Sequence, residues 1–409
     1  MNAAPGMIRS QAGAPAGARL RVLSVCRSLP TPDDPSSGVF VLNRLAAMRR
    51  YAEVEILQPV PHFPLVKPLP AWAHGTRQVR DTPVTAEPMF YVPKFLKTLD
   101  AMWLRRSIEA TAAAMHRRGG LDLIDAHFGY PDGAACVQVA ARLGVPSFIT
   151  VRGVENEYLQ QPGIGRQLAE ALRSATACIC VSHSLRELVL RHGVAPERAT
   201  VIHNAIDREA FRPCDGAAAR TALGVAGHVP LIVSVGHLVV RKRHHVLIEA
   251  FARLRQRHPD AQLAIIGAVA FEPDYPERLR RLAGELRVAD SVQFVGNLPQ
   301  PQVVQWLRAA DAFALGTERE GCCNAVLEAL ACGLPVVTTP AGDNTWFVRD
   351  GVNGFIVPVD DAGAMEAALA RTLARGDWDR QRISRELAVG TWDGVGREVV
   401  GFFRERSGL

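Results

Sequence analysis

AFALGTEREGCCNAVLEALACGLPVVT, residues Ala312 to Thr338, reads as strand, loop, helix and strand. Ala312–Leu315 is a short, wholly apolar run of the kind a buried strand requires. Gly316 to Asn324 mixes glycine and charge without a period. Ala325–Ala331 is made of strong helix formers, and Gly333 ends it before the β-branched run Pro335–Thr338. Two buried strands joined through a helix are parallel, because a parallel pair needs a long crossover.

This unit repeats in both directions. Upstream, strands Leu231–Val235, Leu263–Ile266 and Val292–Val295 alternate with helices His245–Gln256, Pro276–Leu286 and Gln302–Ala310. The first half gives strands Leu20–Cys26, Val54–Gln58, Leu123–His127, Ser147–Val151, Ala177–Val181 and Thr200–Ile202. Helices Val39–Arg50, Leu99–Arg117, Gly133–Leu143, Arg166–Ser174 and Leu185–Arg191 lie between them. Pro213, Gly216 and Gly224 interrupt the pattern across Asp207–Gly227. The expectation is an α/β chain of two facing, doubly wound Rossmann-like domains, 19–207 and 208–393. The C-terminal helix, 394–406, is a candidate to pack back on the first domain. Ligands of such sheets sit beyond the carboxyl ends of the strands, so the interdomain cleft is the expected site.

Residues 1–18 are rich in Ala, Gly and Pro without an apolar centre, and read as a disordered lead-in, not a secretion signal. Residues 59–98 break the alternation. Prolines and aromatics interleave there with Lys67, Arg77, Arg80, Lys94 and Lys97, which reads as an irregular acceptor-side lip able to touch a membrane.

Hydrophobic residues make up 48% and charged residues 22%, as in a water-soluble globular chain. No apolar run reaches the about eighteen residues that span a bilayer. The eight cysteines form no C-x-x-C pair and read as free thiols of a reducing cytosol. Residues 1–210 carry 24 Lys+Arg against 18 Asp+Glu, while 211–409 carry 23 of each. The basic excess therefore belongs to the first half, where an anionic membrane surface or an anionic acceptor is a candidate partner. Nucleic acid is not an expected partner.

Chemistry concentrates in the quoted segment. A loop that opens a helix presents free N–H groups, which favour phosphate. Glu320 in that loop and Glu328 in the helix can each accept two hydroxyl hydrogen bonds from a sugar or a ribose. Their spacing alone says little: chance supplies roughly one such pair per chain of this size, and Glu277 and Glu285 repeat it on an ordinary amphipathic helix.

The order of motifs says more. Glu320-Gly321, Asn324 and Leu327-Glu328-Ala329-Leu330-Ala331-Cys332-Gly333-Leu334-Pro335-Val336-Val337 closely resemble the donor-binding signature of family four of the retaining glycosyltransferases, which have the GT-B fold. Val201-Ile202-His203-Asn204-Ala205-Ile206-Asp207 resembles the family's interdomain stretch, and Val233 to Leu254 its glycine-and-lysine strand–loop–helix. Pro35-Ser36-Ser37-Gly38-Val39-Phe40 resembles its first phosphate loop, and Asp125-Ala126-His127 with Pro131-Asp132-Gly133 its histidine motif. The resemblance covers nearly the whole chain and is closest to the bacterial exopolysaccharide and cell-envelope type.

That resemblance implies catalytic roles for His127, Lys242 and Glu320, with His127 beside the transferred sugar. It implies a donor site of Gly38, Gly236, His237, Lys242, Arg243, Gly321, Cys322, Cys323, Asn324, Ala325 and Glu328. It implies transfer of a sugar, with retention, from a UDP- or GDP-linked co-substrate to a hydroxyl of a glycan or lipid-linked glycan. It further implies no cofactor and no metal. The chain is then expected to be cytoplasmic and peripheral at the inner face of the plasma membrane.

Three places depart from the pattern: His237 follows Gly236 where arginine is usual, Arg241-Lys242-Arg243 has arginine where a glycine is common, and Arg152-Gly153 replaces His-Gly. His237 is expected to touch the diphosphate only when protonated, with Arg243 as the substitute charge. Two rivals remain. A dinucleotide oxidoreductase would need G-x-G-x-x-G after the first strand, and Ser24–Gly38 has a single glycine. A non-catalytic nucleotide-sugar-binding protein would keep the same fold without the chemistry.

Overall fold

The computed structural model describes residues 19–64, 66–270 and 272–409, so the lead-in 1–18 lies outside the described residues. The first sheet contains β1 (Arg21–Val25), β2 (Glu53–His62), β3 (Gly75–Val79), β4 (Thr82–Phe90), β5 (Leu123–His127), β6 (Ser147–Val151), β7 (Ala177–Cys180) and β8 (Ala199–Val201). Its order is β3-β4-β2-β1-β5-β6-β7-β8, parallel throughout except for β3 on β4. The second sheet contains β9 (Leu231–Val235), β10 (Gln262–Ile266), β11 (Val292–Gly296), β12 (Ala312–Leu315), β13 (Val336–Thr338) and β14 (Gly354–Ile356). It runs β11-β10-β9-β12-β13-β14, all parallel.

Apolar side chains on both faces explain why these runs are strands. Leu23 and Val25 pack under the helices Asp100–Arg117 and Ala134–Leu143, while Val22 and Ile56 pack under Val39–Met48. In the second sheet Val233 and Phe313 face one helical layer, and Ile232 and Ala314 the other.

Each sheet has one point where successive crossovers turn in opposite directions: between β1 and β5 in the first, and between β9 and β12 in the second. The loops leaving the carboxyl ends of these strands diverge and open a crevice. Four sequence segments singled out above leave from those four strands.

The stretch 59–98 is not an irregular lip throughout. β2 runs on to His62, and β3 and β4 form a hairpin whose turn residues Arg80 and Asp81 both have positive φ, 46° and 63°. That turn normally advertises itself with Asn-Gly, and Arg-Asp does not. Prolines also argued against strands. β4 tolerates them because Thr82–Val84 pairs only with β3 and Glu87–Phe90 only with β2, so Pro83 and Pro88 each have a free edge to face.

The interruption at Asp207–Gly227 contains a helix, Gly216–Leu223. Asp215 caps its start by accepting from the Ala217 N–H, and Gly224, at φ 71°, ends it. The glycines read as breakers are therefore the two ends of one helix, which packs beside Gln300–Ala309. The final helix, Trp392–Ser407, lies on the first domain. Its Phe402 and Phe403 meet Phe148 of β6 at ring separations of 6.1 and 4.5 Å. Asp393 binds Arg50 and Tyr51 at 2.9 and 2.8 Å.

Candidate active site

The turn after β9 carries Gly236 and His237 and closes with a single 3-10 turn, Val240–Lys242. The loop after β12 carries Gly316 to Cys323. The two loops are tied together, the Glu318 N–H donating to the Arg241 carbonyl at 2.9 Å. This brings Lys242 Nζ to 2.6 Å from Glu320 Oε1. Thr317 Oγ1 donates to the same oxygen at 2.7 Å, and an Arg241 nitrogen lies 3.8 Å from Glu320 Oε2. The Lys242 and Glu320 side chains are 13% and 8% exposed. Burial alone would raise the Glu320 pKa, but the Lys242 and Arg241 charges and the hydrogen bonds outweigh it and hold it below the usual carboxylate range.

The helix Asn324–Ala331 starts beside this pair and has no side-chain cap. An uncapped helix start is the arrangement that receives phosphate. Asn324, Ala325 and Glu328 share the face that looks into a cavity of about 610 Å³. The same cavity is walled by Gly236, His237, Arg241, Lys242, Glu320, Cys322 and Cys323. From the first domain, Ser36, Val39, Phe40 and the hairpin residue Arg80 complete it. Among the described residues Glu328 has no charged partner, and burial alone raises its pKa to about 8. Burial, then Lys242 and Arg241, lower the His237 pKa. The neutral form of His237 is thus favoured in the empty site, so a protonated contact with the diphosphate would need more acid conditions or the charge of the ligand itself.

Four of the expected residues do not line the cavity. Arg243 sits at φ 53° before the helix His244–Leu254, and its guanidinium binds Glu318 at 2.9 Å and Asp360 at 2.8 Å. Two local carboxylates claim it, and Arg241 and Arg80 are the arginines that line the cavity instead. Gly38 opens the helix Val39–Met48 at φ 59°, where a Cβ would fall 1.9 Å from the Ser28 carbonyl oxygen. The glycine is needed for that backbone contact, and its neighbours face the cavity.

Gly321 lies directly against the backbone of the first domain. A Cβ there would lie 1.9 Å from the Arg152 carbonyl oxygen. Gly321→Ala is therefore expected to push the donor loop off the first domain and sharply weaken nucleotide binding. Calorimetric titration with UDP and GDP checks this, with Gly376→Ala, which meets nothing within 4 Å, as the control.

His127 is the fourth. Its ring is fully buried inside the first domain. Nδ1 accepts from Arg152 at 2.9 Å, which leaves the proton on Nε2, 3.1 Å from Asp125 Oδ2. Burial drives its pKa down to about 4. Arg152 reaches on to Asn204 Oδ1 at 3.2 Å, and Asn204 donates to Asn324 Oδ1 at 3.0 Å. His127 is thus the inner end of a relay that finishes on the first residue of the donor helix, and does not itself reach the cleft. The sequence reading missed this relay, as it missed Arg241, Arg80 and Gly267, whose absent Cβ lets it lie against the Gly236 carbonyl. The Arg152 departure from the family pattern was its one visible sign.

Comparison with known proteins agrees with this geometry. Residues 217–386 match the family model described as glycosyl transferases group 1, and residues 38–210 that of glycosyltransferase family 4. A D-inositol 3-phosphate glycosyltransferase of Mycolicibacterium gilvum is 31% identical over 385 residues, covering 89% of this chain and 84% of that protein. One from Frankia alni is 31% identical over 316 residues, covering 72% and 76%. Among solved structures, sucrose-phosphate synthase from Thermosynechococcus elongatus superimposes with a TM-score of 0.75 at 20% identity, covering 95% of this chain and 99% of that one. Anabaena Alr3699/HepE in complex with UDP-glucose gives 0.73 at 19% identity, covering 94% and 99%. With two Rossmann-like sheets facing across a cleft and these relatives, the chain belongs to glycosyltransferase family 4, GT-B enzymes that act on nucleotide-sugar donors.

Proposed function

We propose that the enzyme transfers a sugar from a UDP- or GDP-linked donor to an acceptor hydroxyl with retention of anomeric configuration, and needs no metal on the diphosphate. The observation that carries this reading is the Lys242–Glu320 pair at an uncapped helix start. An arriving diphosphate takes over Lys242, and Glu320 turns its acceptor capacity to the donor sugar's hydroxyls. Lys242, Arg241 and the helix N-terminus then offset the charge that develops on the leaving nucleotide. Glu328 receives the ribose diol. With His127 walled in, the acceptor proton passes to the leaving phosphate on the same face, which retains the configuration.

A thermal-shift panel of UDP- and GDP-sugars identifies the donor: at a hundred times Kd, binding stabilises by about 2.7 kcal/mol. NMR of the product anomer tests retention, and an inverted linkage refutes it. Transfer is expected to persist in EDTA and to vanish in Glu320→Ala.

For the acceptor we favour a lipid-linked glycan of cell-envelope synthesis, met at a membrane surface. Val66, Phe95 and Leu96 are exposed on the first domain. Lys67, Lys94 and Lys97 alternate with them, and the Lys67 and Lys97 ammonium groups flank the Tyr91 ring at 5.8 and 3.8 Å. Apolar tips among cations suit an anionic interface. No helix among the described residues is long and apolar enough to cross a membrane. Binding to phosphatidylglycerol vesicles by flotation is expected for the wild type and lost in Phe95→Asp/Leu96→Asp. The relatives' names support a second reading, a phosphorylated polyol. Acceptor assays with inositol 3-phosphate and with a lipid-linked glycan separate the two.

A further inference from the structure

We propose that His183, His203 and Asp343 form a binding site for one divalent transition-metal ion that ties the two domains together. The three side chains come from separate elements. His183 opens the helix His183–Arg191 after β7, and His203 follows β8, both in the first domain. Asp343 precedes the short helix Asn344–Phe347 after β13, in the second.

Asp343 Oδ2 lies 2.8 Å from His183 Nδ1 and 2.8 Å from His203 Nε2. The three donor atoms all fall within 4.8 Å of one another. An ion about 2.0–2.2 Å from each would take the place of the two protons the imidazoles now share with the carboxylate. Tetrahedral donors at that distance stand about 3.4 Å apart, so the carboxylate oxygen would draw back from each imidazole by about 0.6 Å as the ion enters. Two imidazoles and one carboxylate suit zinc, cobalt or nickel, and suit magnesium or calcium poorly.

The supports that orient such ligands are already present. Asp343 accepts from the backbone N–H of His183 at 2.8 Å and of Ser184 at 3.3 Å, fixing the carboxylate from across the domain boundary. His203 is braced edge-on by Phe347, with ring centroids 5.1 Å apart. Solvent reaches the cluster through His183, the most exposed of the three, so water can fill the remaining position. Trp346 stacks on the His183 ring at 4.2 Å and is itself 59% exposed.

This cluster is separate from the donor cavity, none of whose walls it forms. It touches the donor loop from behind: a Cβ on Gly342 would lie 3.0 and 3.1 Å from the carbonyl oxygens of Glu320 and Gly321. An ion that holds Asp343 on His183 and His203 therefore also steadies that loop against the first domain.

The test uses the metal-free full chain and needs no donor, so it stands apart from the function proposed above. Calorimetry with Zn²⁺ is expected to find one ion per chain, without competition from Mg²⁺. Ni²⁺ is expected to quench tryptophan fluorescence in the wild type but not in Trp346→Phe, which still binds Zn²⁺. His203→Asn keeps an N–H for Asp343 but loses the imidazole, and should weaken Zn²⁺ by at least about tenfold. His183→Asn, a milder change at an exposed helix start, should do the same. Zn²⁺ should also slow hydrogen exchange of the His183 and Ser184 amides, which are freed only when the domains part. Wild-type-like Zn²⁺ affinity in either folded variant, no Zn²⁺ binding by the wild type, or unchanged exchange would overturn the proposal.

Discussion

Lys242→Ala is expected to lower kcat by about a hundred- to a thousandfold, the effect of removing one preorganised group that stabilises charge in a transition state. Donor affinity should fall much less, because Arg241 and the uncapped helix start at Asn324 remain to bind the diphosphate. The ammonium matters most when the sugar–phosphate bond breaks and negative charge gathers on the leaving nucleotide. The same substitution should cost stability. Glu320 is nearly buried, and without Lys242 its remaining cation is Arg241, 3.8 Å away. Its carboxyl, now held below the usual range, would move up.

A depressed carboxylate contributes stability above its unfolded pKa and loses it as pH falls through the folded one. The stability lost in Lys242→Ala should therefore be full at neutral pH and shrink towards acid. Adding Glu320→Gln should restore Tm without restoring kcat. Turnover unchanged in Lys242→Ala would refute the role given to this residue.

Nucleotide affinity in the wild type is expected to rise with pH, by about tenfold per unit below pH 8, and then level off. The cause is Glu328, whose pKa burial raises to about 8 in the empty cavity. A ribose diol donates two hydrogen bonds, which the carboxylate accepts and the protonated acid accepts poorly. Binding thus selects the ionised form, and below pH 8 that form must first be made at the expense of one proton. Glu328→Gln should bind weakly at every pH and show a flat profile. Calorimetry with UDP and GDP between pH 6 and 9 checks both, and a rising profile that survives in Glu328→Gln would assign the proton elsewhere. His237 pulls the other way, but its pKa is lowered by burial and by Lys242, so its titration lies towards acid.

How much of this was legible beforehand follows from the range of the interactions. Strands β1, β5, β6, β9 and β12 could be placed within a residue or so, because each is a short, largely apolar run buried on both faces. The pairing of Glu320 with the helix of Glu328 was readable too, since strand, loop and helix are contiguous. The hairpin β3–β4 was not, because its turn lacks the usual residues and its prolines are excused only by free edges that the register creates.

At the site the same division holds. Sequence alone determined that a strand–loop–helix with two carboxylates, a lysine and adjacent glycines belongs to the second of two parallel sheets. Tertiary structure decided which side chains face the cleft. It turned Arg243 to Glu318 and Asp360, brought Arg241 in, and closed His127 behind Arg152. The reason is physical: local patterns record whether a residue is buried, but the partner that claims its polar group comes from 25 to 160 residues away, as with His127 and Arg152 within one domain or His183 and Asp343 across two, and only tertiary packing selects it.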